Sequence, residues 1–295
     1  MSDSKDIHGI LAYPVTPFTV EQTVDTTKLA GLVDRLVDTG AHGIVPLGST
    51  GESAYLTEPE FDAVIDTSIG AVDGRVPVVI GASDLTTANT IRRARYAERA
   101  GADAVMILPI SYWKLSDREI VAHYAAVGAA IGIPIMVYNN PATSGIDMAP
   151  ELLVRLFETV ENVTMVKEST GDISRMLRVA ELSDRRLAFY NGNNPLALEA
   201  FKVGAKGWCT AAPNLRPHHC LKLYDAVRTG DFTEAQVIYD ELRPLLEFIV
   251  AGGLPTTVKC GLELLGHGVG DPRPPLLPLD DEGRREMHKL LSIGQ

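Results

Sequence analysis

Among the nine lysines of this 295-residue chain, Lys167 alone closes an otherwise apolar run, NVTMVKEST. Lys5, Lys28, Lys114, Lys202, Lys222, Lys259 and Lys289 fall in tail, loop or helical patterns, and Lys206 opens a run rather than ending one. An amine held in an apolar mouth is disfavoured as a cation, so a neutral, nucleophilic fraction exists near neutral pH. The chemistry this offers is imine formation with a ketone. Taken alone, the position is explained equally well by a structural ion pair with Glu168. Tyr138 ends the preceding run, PIMVYN. If these two runs are neighbouring parallel strands, their last residues stand side by side, within reach of each other. Carbinolamine formation, dehydration and protonation at C3 all need a proton shuttle near the nitrogen, and a phenol can be one. Read singly, Tyr138 is more simply an aromatic at a rim.

A third feature is Gly48-Ser49-Thr50-Gly51-Glu52, a loop with two hydroxyls and flexible amides ahead of a helical pattern. It suits a carboxylate or phosphate, although a Gly-flanked loop is often only a tight turn. Placed across a barrel from Lys167, it would hold the carboxylate of a 2-oxo acid while the amine attacks the ketone. Tyr112 follows the fourth run. Asn193 and Asn194 follow the seventh, either bonding a substrate hydroxyl or making a turn. Cys209, on the eighth, reads as a small buried hydrophobe rather than a nucleophile. Metal chemistry finds little support: His218 and His219 are adjacent, but no HxH or HExxH occurs, and His42 and His123 sit in loop and helix patterns. No GxSxG elbow is present. No metal and no cofactor are expected, the covalent intermediate being carried by Lys167.

The elements that must position these groups are eight short β-branched runs alternating with amphipathic stretches: 9–15, 43–48, 76–82, 104–109, 134–139, 163–168, 187–192 and 206–211. Near-continuous apolar runs are what strands buried on both faces require. Thr57 with Glu60, and Ser116 with Glu119, have capping-box spacing, and Gly40, Gly101 and Gly132 fall where helices should stop. Eight alternations predict a (β/α)8 TIM barrel in residues 1–213. A doubly wound open sheet is the alternative, without a GxGxxG to support it. Four helical patterns (217–229, 231–251, 255–266 and 280–292) then form a C-terminal extension, 214–295, packed on the barrel.

Composition bounds the partners. A net charge of −11 and a pI near 5.1 argue against nucleic acid or an anionic membrane, both of which need a basic face. Three cysteines without CxxC spacing suit a reducing compartment. The start, MSDSKDIHGI, is unlike an export signal, and no apolar run approaches a bilayer span, so a soluble cytoplasmic protein is expected.

Taken together and in order, VTPF (15–18), GSTGE (48–52), GADAVMILP (101–109), YNNPATSG (138–145), VKESTG (166–171) and LPTTVK (254–259) resemble the dihydrodipicolinate synthase and N-acetylneuraminate lyase superfamily across almost the whole chain. The resemblance implies Lys167 as Schiff-base lysine, Tyr138 as proton shuttle, and Ser49 and Thr50 as carboxylate and relay groups. It also implies Tyr112 near a subunit contact, in a homotetramer built from two tight dimers. The candidate catalytic set is therefore Lys167, Tyr138, Thr50 and Tyr112. The candidate substrate-binding set is Ser49, Thr50, Gly48, Thr143, Ser169, Gly192, Asn194 and Cys209. Two departures bear on the substrate. Thr143 stands where the synthase branch carries an arginine, and Asn194 with Pro195 where the lyase branch holds an acidic pair. The stretch PISYWKLS (109–116) is also one residue longer than either pattern. The expectation is a lyase or aldolase of a 2-oxo-3-deoxy or hydroxy-2-oxo acid, with pyruvate as product or donor. A dehydratase or deaminase using the same imine comes second, dihydrodipicolinate synthesis lower, and a non-catalytic relative last.

Overall fold

The computed structural model describes residues 5–293. Strands and helices alternate along the chain: β1 (Gly9–Ala12), α1 (Thr26–Asp38), β2 (Gly43–Ile44), α2 (Glu58–Val72), β3 (Val79–Gly81), α3 (Thr87–Ala100), β4 (Ala104–Ile107) and α4 (Asp117–Gly128). They continue as β5 (Ile135–Asn139), α5 (Pro141–Ser144), α6 (Pro150–Thr159), β6 (Val163–Glu168), α7 (Ile173–Leu182), β7 (Ala188–Asn191), α8 (Ala197–Lys202) and β8 (Gly207–Thr210). Then come α9 (Pro217–Thr229), α10 (Phe232–Ala251), α11 (Leu254–Leu264) and α12 (Asp281–Ser292). The strands pair in parallel in the order β2-β1-β8-β7-β6-β5-β4-β3, and a bridge between Ile44 and Val78 brings the two ends together. This is a TIM barrel with C-terminal helices.

Every strand lies inside the run that predicts it, but most are shorter. The run at 43–48 keeps only two paired residues because Pro46 has no N–H to donate and Leu47 turns to φ 62°. The alternation of side chains along each strand splits the interior in two. Leu11, Tyr13, Val45, Val79, Met106, Met136, Met165, Tyr190 and Cys209 fill the barrel, while Ile10, Ile44, Ile80, Val105, Val137, Val166 and Trp208 join the larger core of helix-facing residues.

The Glu60 and Glu119 carboxylates accept the N–H groups of Thr57 and Ser116, as the capping boxes require, and Gly101 ends α3 at φ 102°. Gly132 does not stop a helix. α4 ends at Gly128, and the Gly132 N–H instead donates to Glu98 Oε1 at 2.6 Å. No described helix is long and apolar enough to cross a membrane.

The segment after α11 is clamped to the loop that follows β2. Arg273 donates to both Glu60 oxygens, at 2.7 and 2.8 Å, and to the Tyr55 carbonyl at 2.8 Å, with its guanidinium 4.3 Å over the Phe18 ring. The Arg273 bonds hold the Glu60 carboxyl at about 2, against an ordinary 4.5. A carboxylate whose folded value is depressed stabilises above its unfolded value and loses that contribution as pH falls through the folded one. Stability should therefore decline between about pH 4.5 and about 2, and Glu60→Gln should flatten that part of the curve. Urea midpoints measured across this range for both proteins check it. An unchanged slope in the variant would remove Glu60 from the account.

Candidate active site

The strand register supplies the pairing that the chemistry needs. Tyr138 on β5 lies opposite Lys167 on β6, and Lys167 lies opposite Tyr190 on β7. Because side chains alternate along a strand, Lys167 shares the barrel face with Met165 while Glu168 turns to the helices. Glu168 accepts from Asn139 Nδ2 at 3.0 Å and from the Thr170 N–H at 2.7 Å, with Arg175 Nε 3.5 Å away. The structural alternative, an ion pair between Lys167 and Glu168, is therefore absent.

Lys167 is 5% exposed, and among the described residues no carboxylate lies within ion-pair distance of it. Its Nζ sits 3.9 Å from the ring centre of Tyr138 and 4.2 Å from that of Tyr13. Neither nearby acid is a counter-ion. Burial holds the Tyr13 phenol well above its ordinary value and raises the Cys209 thiol as well, so both stay neutral. Tyr13 instead donates its O–H to Met106 Sδ at 3.1 Å.

Above the amine opens a cavity of about 330 Å³, at the small end for a ligand site. It is lined by Ser49 and Thr50 from the loop after β2, by Tyr138 of β5 with Asn140 and Thr143 beyond it, and by Ser169, Gly192 and Asn194 after β6 and β7. Cys209 and Thr210 of β8 complete the barrel side, and Val250, Gly253, Leu254 and Pro255, at the joint of α10 and α11, close the other. The C-terminal extension is thus part of the site. Lys167 is the one Lys, Arg, His, Asp or Glu among the residues lining this cavity. A larger cavity of about 420 Å³, lined by Phe18, Lys28, Lys259 and Arg284, has its buried amine already matched to Glu52.

The structure brings together Lys167, Tyr138, Thr50, Ser49, Thr143, Ser169, Gly192, Asn194 and Cys209. Gly48 lies just outside, where a Cβ would stand 2.9 Å from the Tyr13 ring, and it lines an adjoining apolar cavity of about 240 Å³. Tyr112 is not brought to the site within one chain: it is 96% exposed, beside Trp113 at 77%, and lines neither cavity, a placement compatible with the subunit contact that the resemblance implies. Ile110 still faces the adjoining cavity, but the chain then turns, Trp113 N–H donating to Ser111 Oγ at 3.1 Å, and Tyr112 projects outward. Asn194 spends its oxygen on Trp208 Nε1 at 3.1 Å. The Asn193 backbone is held by the Asn191 side chain at 2.8 and 3.0 Å, a turn-making arrangement.

Sequence reasoning missed Tyr13 and Asn140. Tyr13 is the one aromatic in LAYPV, a usable signal, and Asn140 is the second asparagine of YNNP. Glu52 was grouped with the GSTGE loop as a possible part of the site, but it turns away at φ 54° to form a buried pair with Lys259 Nζ at 2.7 Å.

Gly192 has a steric reason to be glycine. A Cβ there would lie 1.8 Å from Ser169 Oγ and 2.7 Å from Lys167 Cε. Ser169 Oγ is buried without a hydrogen-bond partner. Gly192→Ala should therefore push the lysine off its line of attack and lower kcat by about 10²-fold, the scale of a 1 Å misplacement. Steady-state kinetics on a folded variant check this, and a near-normal kcat would contradict the crowding.

The Dihydrodipicolinate synthetase family model matches residues 6–293. The chain belongs to this family. A 4-hydroxy-tetrahydrodipicolinate synthase of Methylobacterium radiotolerans is 37% identical, over 95% of this chain and 93% of that protein. One from Methanoculleus marisnigri is 36% identical, over 96% and 98%. Among solved structures, a candidate dihydrodipicolinate synthetase of Pseudomonas aeruginosa superposes with a TM-score of 0.96 at 56% identity, covering 97% of this chain and 99% of that one. A dihydrodipicolinate synthase of Bacillus anthracis gives 0.94 at 33%, covering 98% and 99%. The protein is a lyase of this family, of the Schiff-base aldolase type.

Proposed function

We propose that Lys167 forms an imine with the ketone of a 2-oxo acid and that the enzyme makes or breaks the C3–C4 bond of the adduct, with pyruvate as product or donor. What carries the reading is the buried Lys167 amine, with no carboxylate partner among the described residues, between two aromatic rings at the floor of a hydroxyl-lined cavity. The lone pair of the amine attacks C2. Tyr138 hands a proton to the former carbonyl oxygen, which leaves as water, and the iminium remains. In the cleavage direction a base takes the C4 hydroxyl proton and the C3–C4 pair moves into the iminium, releasing an aldehyde and leaving an enamine. Protonation at C3 and hydrolysis then free pyruvate and restore the amine. Ser49 and Thr50 hold the carboxylate. No cofactor is needed, because the iminium is the electron sink.

The substrate class follows from the lining. Beyond the imine it offers only neutral polar groups, Asn140, Thr143, Ser169 and Asn194, which suit an uncharged, hydroxylated tail. A second carboxylate there would find no arginine or histidine to pair with. The names of the relatives favour a second reading, condensation to a dicarboxylic product, for which the aldehyde must bring its own carboxylate. Comparing kcat/KM for neutral hydroxyaldehydes and carboxylated aldehydes, with pyruvate as donor and products identified, separates the two. Product identification also detects loss of water or ammonia in place of carbon–carbon cleavage. For the imine, borohydride with pyruvate should leave a reduced adduct on Lys167, found by peptide mass. An adduct elsewhere, or none, overturns the assignment. A homotetramer is part of the proposal, and sedimentation tests it.

A further inference from the structure

We propose that Asn140 is a positioning residue for the Tyr138 phenol, directing its proton into the cavity and stabilising the oxygen it leaves behind. The inference rests on the reading of Lys167 and Tyr138 above. Asn140 Nδ2 lies 2.7 Å from the Tyr138 oxygen and 2.9 Å from Thr143 Oγ1. A phenol has one proton to give and two lone pairs to offer. When an amide N–H occupies a lone pair, the proton must point elsewhere, and no other described group accepts it. The open direction is the cavity over Lys167, where the carbinolamine oxygen and C3 of the adduct would lie. The amine is seated over the ring face, 3.9 Å from its centre, rather than against the hydroxyl, so the proton reaches the adduct and not the nitrogen directly. As the phenol gives up its proton, the donated N–H becomes a bond to a developing anion, which is roughly twice as strong as a neutral one.

The backbone keeps Asn140 in place whatever its side chain. It precedes Pro141, which restricts its conformation, and its carbonyl accepts the N–H groups of Thr143 at 3.1 Å and Ser144 at 3.0 Å. These bonds need no asparagine. The side-chain amide is therefore free to serve the phenol, and a change there leaves the turn standing.

The amide has a second orientation, with its oxygen on the phenol, in which it would take the proton instead. The two arrangements predict different variants. Asn140→Leu keeps the size and removes both functions, whereas Asn140→Asp keeps the shape and the acceptors but removes the donor. The reaction to follow is exchange of the pyruvate methyl protons for deuterium, which needs the imine and the C3 proton step but no second substrate. We expect both variants to lose about ten- to hundredfold in exchange kcat. For Asn140→Leu, KM should stay within about threefold, and borohydride should still trap the imine after long incubation. Circular dichroism and the thermal midpoint show whether each variant is folded.

The deciding measurement is the double variant. If Asn140 acts through Tyr138, adding Asn140→Leu to Tyr138→Phe costs nothing further, whereas an independent or purely structural role multiplies the two losses. Multiplication, or a wild-type rate in Asn140→Asp, overturns the inference and leaves the imine reading intact. A wild-type rate in Tyr138→Phe overturns the shuttle itself, and the role of Asn140 with it.

Discussion

Replacing Lys167 by methionine should abolish turnover and leave the protein at least as stable as before. Without the amine no imine forms, and the expected loss in kcat is at least about 10³-fold, since no other lining group is a nucleophile matched to the ketone. The stability half follows from what surrounds the side chain. Lys167 is 5% exposed and has no carboxylate partner among the described residues, so folding takes its polar amine out of water without an ion pair to compensate. Its contacts over Tyr13 and Tyr138 return about 0.5–2 kcal/mol, less than the roughly 2–7 kcal/mol that burying a polar group without a hydrogen bond costs. Methionine fills nearly the same space and keeps an apolar contact with both rings. Thermal unfolding should therefore show a midpoint unchanged or raised by a few degrees. A midpoint lowered by more than about 5 °C would mean that the lysine is structural.

Lys259→Met should do the reverse, costing about 3–5 kcal/mol and lowering the midpoint by roughly 10 °C. This second buried lysine on α11 has its Nζ 2.7 Å from Glu52 Oε1, 3.1 Å from the Asp271 carbonyl and 4.1 Å from the Phe18 ring centre. Burial pulls the amine below its ordinary value, and Glu52 opposes that pull. Removing the amine strands the Glu52 carboxylate, whose side chain is wholly buried, with one oxygen accepting the Arg273 N–H at 2.8 Å and the other unmatched. Glu52 stands two residues after Thr50, so the damage should also reach the Ser49 and Thr50 hydroxyls proposed to hold the substrate carboxylate and raise KM. Glu52→Gln in the same chain should recover part of the stability, because the stranded charge is then gone. Denaturant unfolding of the single and double variants measures this coupling. Additive losses would show that the pair is not a unit.

The contrast between these lysines marks how far the chain could be read without its fold. Lys167 stood out because a charged residue at the end of an apolar strand breaks a local pattern. Lys259 did not, because a lysine on a helix ordinarily faces water, and only the packing of α11 against the GSTGE loop and Phe18 buries it. Glu168 was open to the wrong pairing for a related reason. Its nearness to Lys167 in sequence means opposition in space, since neighbours on a strand face opposite ways. Tyr112 follows β4 in sequence, but the turn at Ser111 carries it outward, so a single chain cannot place it against Lys167. Asn140 escaped notice because an asparagine before proline reads as a turn residue, and its bond to Tyr138 spans only two positions.

Period and punctuation in the chain were enough to define the eight strands, their parallel order, the C-terminal helices and the juxtaposition of Lys167 with Tyr138. These depend on local pattern and on the strand-end rule of a barrel, both of which act over a few residues. The fold alone decided that Lys167 has no carboxylate partner among the described residues, that Tyr13 and Asn140 line its cavity, that Glu52 pairs with Lys259, and that the α10–α11 joint closes the cavity. Each of these depends on which side chains from distant segments share a space of a few ångströms. That is set by barrel closure and helix packing, not by any spacing along the chain.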